Sequence, residues 1–173
     1  PVQYVILALA AIAAAAGITP GSVWVPATAL VASQGSPSLA VGSILTSWRL
    51  DPNTDESITT TVAPIASWAS FELDLYLVGV GPEQGNARIG AWWGNNPPTD
   101  GNSLSVPLEQ AYTHVTVTSG GTSIVRIATN VLGTVLVSDT LPRPLGIRRN
   151  ADDALDTLTS DYGVVGALLR GTA

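Results

Sequence analysis

The sequence predicts an all-β protein: a single antiparallel β-sandwich, an eight-stranded jelly roll, with an apolar N-terminal segment and one short helix. Three observations predict it. From Ser22 onward, apolar and polar residues alternate in short runs, the period of strands with one buried and one solvated face. The runs are separated by turn residues, drawn from 17 Gly and 12 Pro. Hydrophobic residues make up 46% of the 173 and charged residues 12%, too apolar for a disordered chain and enough to fill one core.

The elements follow in order. From Val5 to Ile18 nothing is polar, and Thr19-Pro20-Gly21 ends the run because Pro cannot continue a helix. Fourteen helical residues would reach about 21 Å, short of a bilayer core of about 30 Å. No basic residue precedes the run as it would in a signal peptide. Three readings stay open: an arm packed on a neighbouring subunit, a helix touching a membrane, and an uncleaved targeting segment. The domains are therefore residues 1–21, the apolar segment, and residues 22–173, the sandwich.

Ser22 to Leu30 reads as a strand interrupted by Pro26, which suits an edge. Ser38 to Leu50 follows the turn Gln34-Gly35-Ser36-Pro37, and Ser57 to Val62 follows the loop Asp51 to Glu56. In Ser67 to Val80, Phe71, Leu73, Leu75 and Leu77 alternate with Glu72, Asp74, Tyr76 and Val78, which puts the first set inside. Ala87 to Trp93 is the next strand, and Gly94 to Asn102 a polar loop. Short strands recur at Leu104 to Leu108, Tyr112 to Thr118, Ser123 to Thr129 and Thr134 to Ser138, with Gly120-Gly121 closing a hairpin. Ala151 to Leu158 reads as the helix, Asn150 as its N-cap and Asp152 and Asp153 in its first turn. Tyr162 to Leu169 is the last strand.

Composition excludes several chemistries. Without Cys there are no disulfides, thiolate metal sites or cysteine nucleophiles. All seven cations are Arg and the net charge is -6, so no basic stripe offers itself to nucleic acid. Without Lys there is no P-loop and no Schiff base. His114, the single histidine, has no nucleophile or orienting partner that the sequence can name, and reads as a surface strand residue. Asp51-Pro52-Asn53-Thr54-Asp55 offers oxygen ligands at calcium-loop spacing, but Glu56 and Val62 stand where that loop needs Gly and Glu. An EF-hand is excluded; a looser calcium site and a solvated loop remain. No catalytic residue, cofactor or metal site is assigned, and an enzyme is not expected.

The candidate residues are therefore interface residues. Trp92 and Trp93 are adjacent on a strand and face opposite ways, one into the core and one outward. Glu72 and Asp74 share one side of their strand, as an acid pair, as solvated groups, or as intersubunit partners for Arg. Arg143, Arg148 and Arg149 can be solvated by Asp152, Asp153 and Asp156 within the chain, or can reach the Glu72 and Asp74 face of a neighbour.

The segment Ala91-Trp92-Trp93-Gly94-Asn95-Asn96-Pro97-Pro98, with Val62-Ala63-Pro64 upstream, resembles tymovirus-type coat proteins over about a quarter of the chain. A small Cys-free jelly roll with an apolar N-terminus is also similar to the small major capsid proteins of icosahedral phages and archaeal viruses with an internal membrane. Both resemblances imply a structural capsid protein in a virion, a homo-oligomer assembling with other capsid proteins, over an internal viral membrane in the second case. The alternative from another class is a carbohydrate-binding β-sandwich module. It would use an exposed Trp and the 94–102 loop, where Asn95, Asn96, Asp100 and Asn102 supply hydrogen-bonding groups.

Overall fold

The computed structural model describes residues 21–42, 45–94, 113–121, 124–137 and 140–172. The apolar run before residue 21, the expected strand Leu104 to Leu108 and the loop residues Asn95, Asn96, Asp100 and Asn102 lie outside them. Among the described residues no helix is long and apolar enough to cross a membrane.

Twelve strands are described: β1 (Ser22–Pro26), β2 (Val31–Gln34), β3 (Ser38–Val41), β4 (Thr46–Leu50), β5 (Glu56–Val62), β6 (Ser70–Gly79), β7 (Asn86–Trp93), β8 (Thr113–Thr118), β9 (Val125–Ala128), β10 (Val135–Leu136), β11 (Arg143–Arg149) and β12 (Tyr162–Thr172). Every pairing is antiparallel. One sheet of seven strands runs β10-β6-β12-β4-β3, with β1 on β12 and β9 on β6; the second, of five, runs β2-β5-β11-β7-β8. The fold is an all-β two-sheet sandwich of jelly-roll type, as alternation and turn residues predict.

The count exceeds eight for local reasons. The expected strand Ser22 to Leu30 is cut after Pro26 by a single 3-10 turn, Ala27–Ala29, and the chain resumes as β2 in the other sheet. The expected strand Ser38 to Leu50 is the hairpin β3-β4.

The core lies between the sheets. Phe71, Leu73, Leu75 and Leu77 of β6 are all 0% exposed, on the inner face where alternation puts them. They meet Ile89 and Ala91 of β7, Leu145 and Ile147 of β11, and Val164, Ala167 and Leu169 of β12 in one cluster.

Three expectations are corrected. Gly120-Gly121 closes no hairpin: β8 pairs with β7 in one sheet and β9 with β6 in the other, so the turn carries the chain across the sandwich. Ala151 to Leu158 is a series of turns rather than a helix. Asp153 accepts from the backbone N–H of Leu155 at 2.9 Å, the local side-chain competition that disfavours Asp inside helices, and Asp156 is drawn across the fold to the backbone N–H of Arg88. Finally, Arg143–Arg149, where the sequence reading places interface arginines and no strand, is the central strand of the second sheet, paired with β5 on one side and β7 on the other. Pro144 disguised it, since Pro lacks a ladder donor and argues against a central strand. The β7 ladder begins only at Leu145↔Trp93, one residue beyond it.

Candidate functional site

The three arginines of the expected cluster point to three different places. On β11 the alternation Arg143, Leu145, Ile147, Arg149 shares the inner face, and that alternation is the signal that could have revealed the strand. Arg149 is 0% exposed, and all five of its N–H donors find acceptors. Asp156 takes Nε at 2.9 Å and Nη2 at 2.7 Å; the carbonyls of Leu50, Ser160 and Leu158 take the rest. Arg148, on the outer face, pairs with Asp55. Arg143 is buried and donates to the carbonyl of Gly94 at 3.3 Å. Arg149 is thus consumed within the chain and cannot reach a neighbour's surface without dismantling this end of the sandwich.

The two adjacent tryptophans do face opposite ways. Trp93 packs on the core side, its ring 4.9 Å from that of Phe71 in an edge-to-face contact. Trp92 lies on the outer face over Gly146, where any Cβ would collide with its indole Nε1. It is only 6% exposed, so it is not the open platform that a sugar-stacking Trp must be. His114 packs its ring over Gly90, and its carbonyl accepts from Arg88 Nη1 at 3.3 Å.

The remaining two candidates, Glu72 and Asp74, are brought together with residues that nothing in the sequence joins to them. Both lie on the outer face of β6. The paired strand β12 places Arg170 opposite Glu72. Arg170 donates from Nε to Asp74 Oδ2 at 2.8 Å and from Nη2 to Asp74 Oδ1 at 3.0 Å, a bidentate grip, and from Nη2 to Glu72 Oε2 at 3.0 Å. The Asp74 hydrogen bond, with both carboxylates nearby, holds the Arg170 pKa above its ordinary value. Asn130, at φ 51° in the left-handed region, aims its backbone N–H at Asp74 Oδ1, 2.9 Å away. Asp74 is 6% exposed, while the side chains of Arg170 and Glu72 remain 42% and 31% exposed. The acid pair therefore finds its arginine in its own chain.

Beside this charged row runs an apolar one. Tyr76 follows Asp74 on the outer face of β6, and its cross-strand neighbours are Gly166 on β12 and Ile127 on β9. Trp24 of β1 leans across β12 and meets Tyr76 edge-to-face, ring centroids 5.1 Å apart at 87°. Gly166 makes that reach possible: a Cβ there would stand 2.6 Å from Trp24 Cζ2 and 2.6 Å from the carbonyl of Val25. The register also shifts between Val164 and Gly166, a bulge that re-aims the outer face of β12. Trp24 and Tyr76 are half-buried, and Ile127 is 52% exposed. Burial and the neighbouring Asp74 charge both push the Tyr76 hydroxyl above its ordinary pKa, so it stays a neutral donor and acceptor. The result is a row of apolar faces, Trp24, Tyr76 and Ile127, across four adjacent strands and flanked by Asp74, Arg170 and Glu72.

Two clefts among the described residues lie beside these rows and away from them. One of about 440 Å³ opens between the edge strands β8 and β9 and is lined by Thr116, Thr118, Arg126 and Thr129, with Ile127 shared with the apolar row; no aromatic ring lines it. The other, about 380 Å³, lies by the Asp51–Glu56 loop, where the sequence offered calcium-type oxygens. Those oxygens are turned to other partners. Glu56 accepts from the N–H groups of Ser36 and Asp51, Asp51 from that of Asn53, and Asp55 from Ala151 and Arg148. Among the described residues no group of three His, Asp or Glu converges as a metal site.

No protein-family model matches the chain, and no curated protein is similar to it in sequence. Solved structures are similar in fold. The CBM36-1 domain of a multidomain xylanase from the hindgut metagenome of Trinervitermes trinervoides matches with a TM-score of 0.56 at 11% identity, over 88% of this chain and 98% of its own. A family 35 carbohydrate-binding module from Clostridium thermocellum matches at 0.54 and 12%, over 88% and 100%. A CBM36 module in complex with calcium and xylotriose matches at 0.51 and 12%, over 85% and 96%. The viral resemblance does not hold. The three structures above, similar to this chain from end to end, are carbohydrate-binding modules, not capsid proteins, and the capsid function and virion location fall with the resemblance. The Ala-Trp segment misled because Trp92 and Trp93 are spent on packing within this chain, over Gly146 and against Phe71. Other similar structures are enzymes, of which the chain matches 18–30%.

Proposed function

We propose that this protein is a carbohydrate-binding β-sandwich module that binds without catalysing. The observation that carries the reading is the outer face of the seven-stranded sheet, where Trp24, Tyr76 and Ile127 form an apolar row beside Asp74, Arg170 and Glu72. A sugar ring has an apolar face of C–H groups and a rim of hydroxyls. It therefore needs an apolar or aromatic surface with hydrogen-bonding groups at fixed distances beside it. Here the charged groups are held by each other and by Asn130, so little side-chain freedom is lost on binding. The sites sit on strands rather than loops, which keeps them rigid. The likeness in fold to end-to-end carbohydrate-binding modules supports the same reading.

The expected Trp92 and loop 94–102 are replaced in this reading by Trp24 and the β6-β12 face. The test is affinity electrophoresis of the full chain through gels containing xylan, mannan, galactan or dextran. These are the polymer classes named for the enzymes among its structural neighbours. At least one polymer should retard the protein. Trp24→Ala should weaken that binding about tenfold or more, as loss of an aromatic anchor worth about 2 kcal/mol would, with an unchanged circular-dichroism spectrum. Binding that survives both Trp24→Ala and Tyr76→Ala would move the site elsewhere, and no retardation by any polymer would remove the reading.

A further inference from the structure

We infer that this face selects uncharged glycans and disfavours those bearing carboxylates, an inference that rests on the carbohydrate-binding reading. Its chemistry is set by three groups. Glu72 and Asp74 contribute two negative charges and Arg170 one positive, which leaves one excess negative charge beside the apolar row. Among the described residues no second cation lies in this row: Arg126 sits next to Ile127 on β9 and alternates to the opposite side of that strand. Arg49 of β4, across Gly163 from Val78 on the same outer face, stands one row further on and two strands away, beside the Asp51–Glu56 cleft. Tyr76 stays neutral there.

The one cation is also already occupied. A uronate would be recognised by an arginine through two parallel N–H bonds, but Arg170 has turned Nε and Nη2 onto Asp74 and Glu72. What remains for a ligand is the Nη1 end of a neutralised guanidinium, enough to donate to a hydroxyl and too little to offset an added carboxylate. Glu72 by contrast keeps unfilled acceptor capacity. Its Oε2 takes Arg170, and Oε1 has only a long contact of 3.5 Å with Asn130. An acceptor beside an apolar surface suits a hydroxyl donor and repels an anion. The net charge of -6 on the whole chain acts in the same direction at low salt.

The experiment compares two derivatives of whichever neutral polysaccharide retards the protein most, one partially carboxymethylated and one hydroxyethylated to the same degree. The second controls for lost hydroxyls and added bulk. At low ionic strength the full chain should bind the carboxymethylated polymer about fourfold more weakly than the hydroxyethylated one, the effect of one charge repelled at about 5 Å in water. The ratio should shrink toward one at high salt, and also in Glu72→Gln, whatever that change does to absolute affinity. Equal or tighter binding of the carboxymethylated polymer would overturn the inference while leaving carbohydrate binding intact. A ratio unmoved by both salt and Glu72→Gln would assign the discrimination to shape and overturn it too. If no neutral polymer binds, the parent reading fails and takes this one with it.

Discussion

Arg149 Nη2 stands 2.7 Å from Asp156 Oδ1, with the two side chains 0% and 1% exposed, an ion pair closed off inside a β-sandwich. The same guanidinium ties the end of β4 and the 156–160 turn to β11 through three backbone carbonyls. Removing one partner would leave the other charge buried without compensation. Arg149→Ala and Asp156→Ala should each destabilise by about 3–5 kcal/mol. The double variant should cost less than their sum, because the second substitution removes a charge that the first left stranded. Arg148→Ala, which breaks a partly exposed pair with Asp55, should cost about 1 kcal/mol or less. Urea denaturation of the set checks the order; a mild Arg149→Ala would show that water reaches this pair.

The two faces of β6 should respond oppositely. Leu75 is 0% exposed in the centre of the core, so Leu75→Ala should cost about 2–5 kcal/mol through the cavity it leaves. Glu72, 31% exposed on the outer face, should tolerate Ser within about 1 kcal/mol. Denaturant midpoints of the two variants decide, and the reverse ranking would invert the strand.

Gly166 couples packing to the proposed site. A Cβ there meets Trp24 Cζ2 and the Val25 carbonyl, each at 2.6 Å, and backbone cannot yield as a side-chain tip can. Gly166→Ala should therefore destabilise by about 1–3 kcal/mol and displace the Trp24 ring. Tryptophan fluorescence should shift to the red as the indole leaves Tyr76, and polysaccharide binding should weaken in parallel. An alanine accepted without either change would mean that β1 does not lie where the register puts it.

Tyr162 offers a test in alkali. It is 0% exposed, its hydroxyl has no hydrogen-bond partner among the described residues, and burial pushes its pKa up to about 12 against an ordinary 10.0. Its folded pKa lies above its unfolded one. Its contribution is therefore complete below pH 10 and is lost as pH rises toward 12, where the unfolded chain releases the proton first. Absorbance titration should show one tyrosine ionising only with unfolding. Tyr162→Phe should abolish that late step, remove part of the alkaline loss of stability, and at neutral pH leave stability equal or raised by about 1 kcal/mol, since it deletes an unsatisfied polar group. A clear loss of stability at neutral pH would mean that the hydroxyl has a partner.

The sequence by itself determined the fold class and much of the inside. The alternation of Phe71, Leu73, Leu75 and Leu77 with polar partners is a local property, because a strand sends successive side chains to opposite faces wherever it lies. For the same reason the opposite orientations of Trp92 and Trp93 were legible. Only the tertiary structure decided what those faces meet. Glu72 and Asp74 are separated from Arg170 by 98 and 96 residues, and nothing local to either strand names the other as its partner. Trp24 touches Tyr76 only because β1 and β6 both pair with β12 and Gly166 lets the indole cross between them. Strand β11 escaped reading because its ends carry arginines and its second residue is Pro144; the buried partner that makes Arg149 tolerable inside, Asp156, belongs to a turn whose shape the sequence presented as a helix. Alternation is written into the chain residue by residue, whereas charge pairing and ring stacking across strands depend on register, which exists only once the sheets have formed.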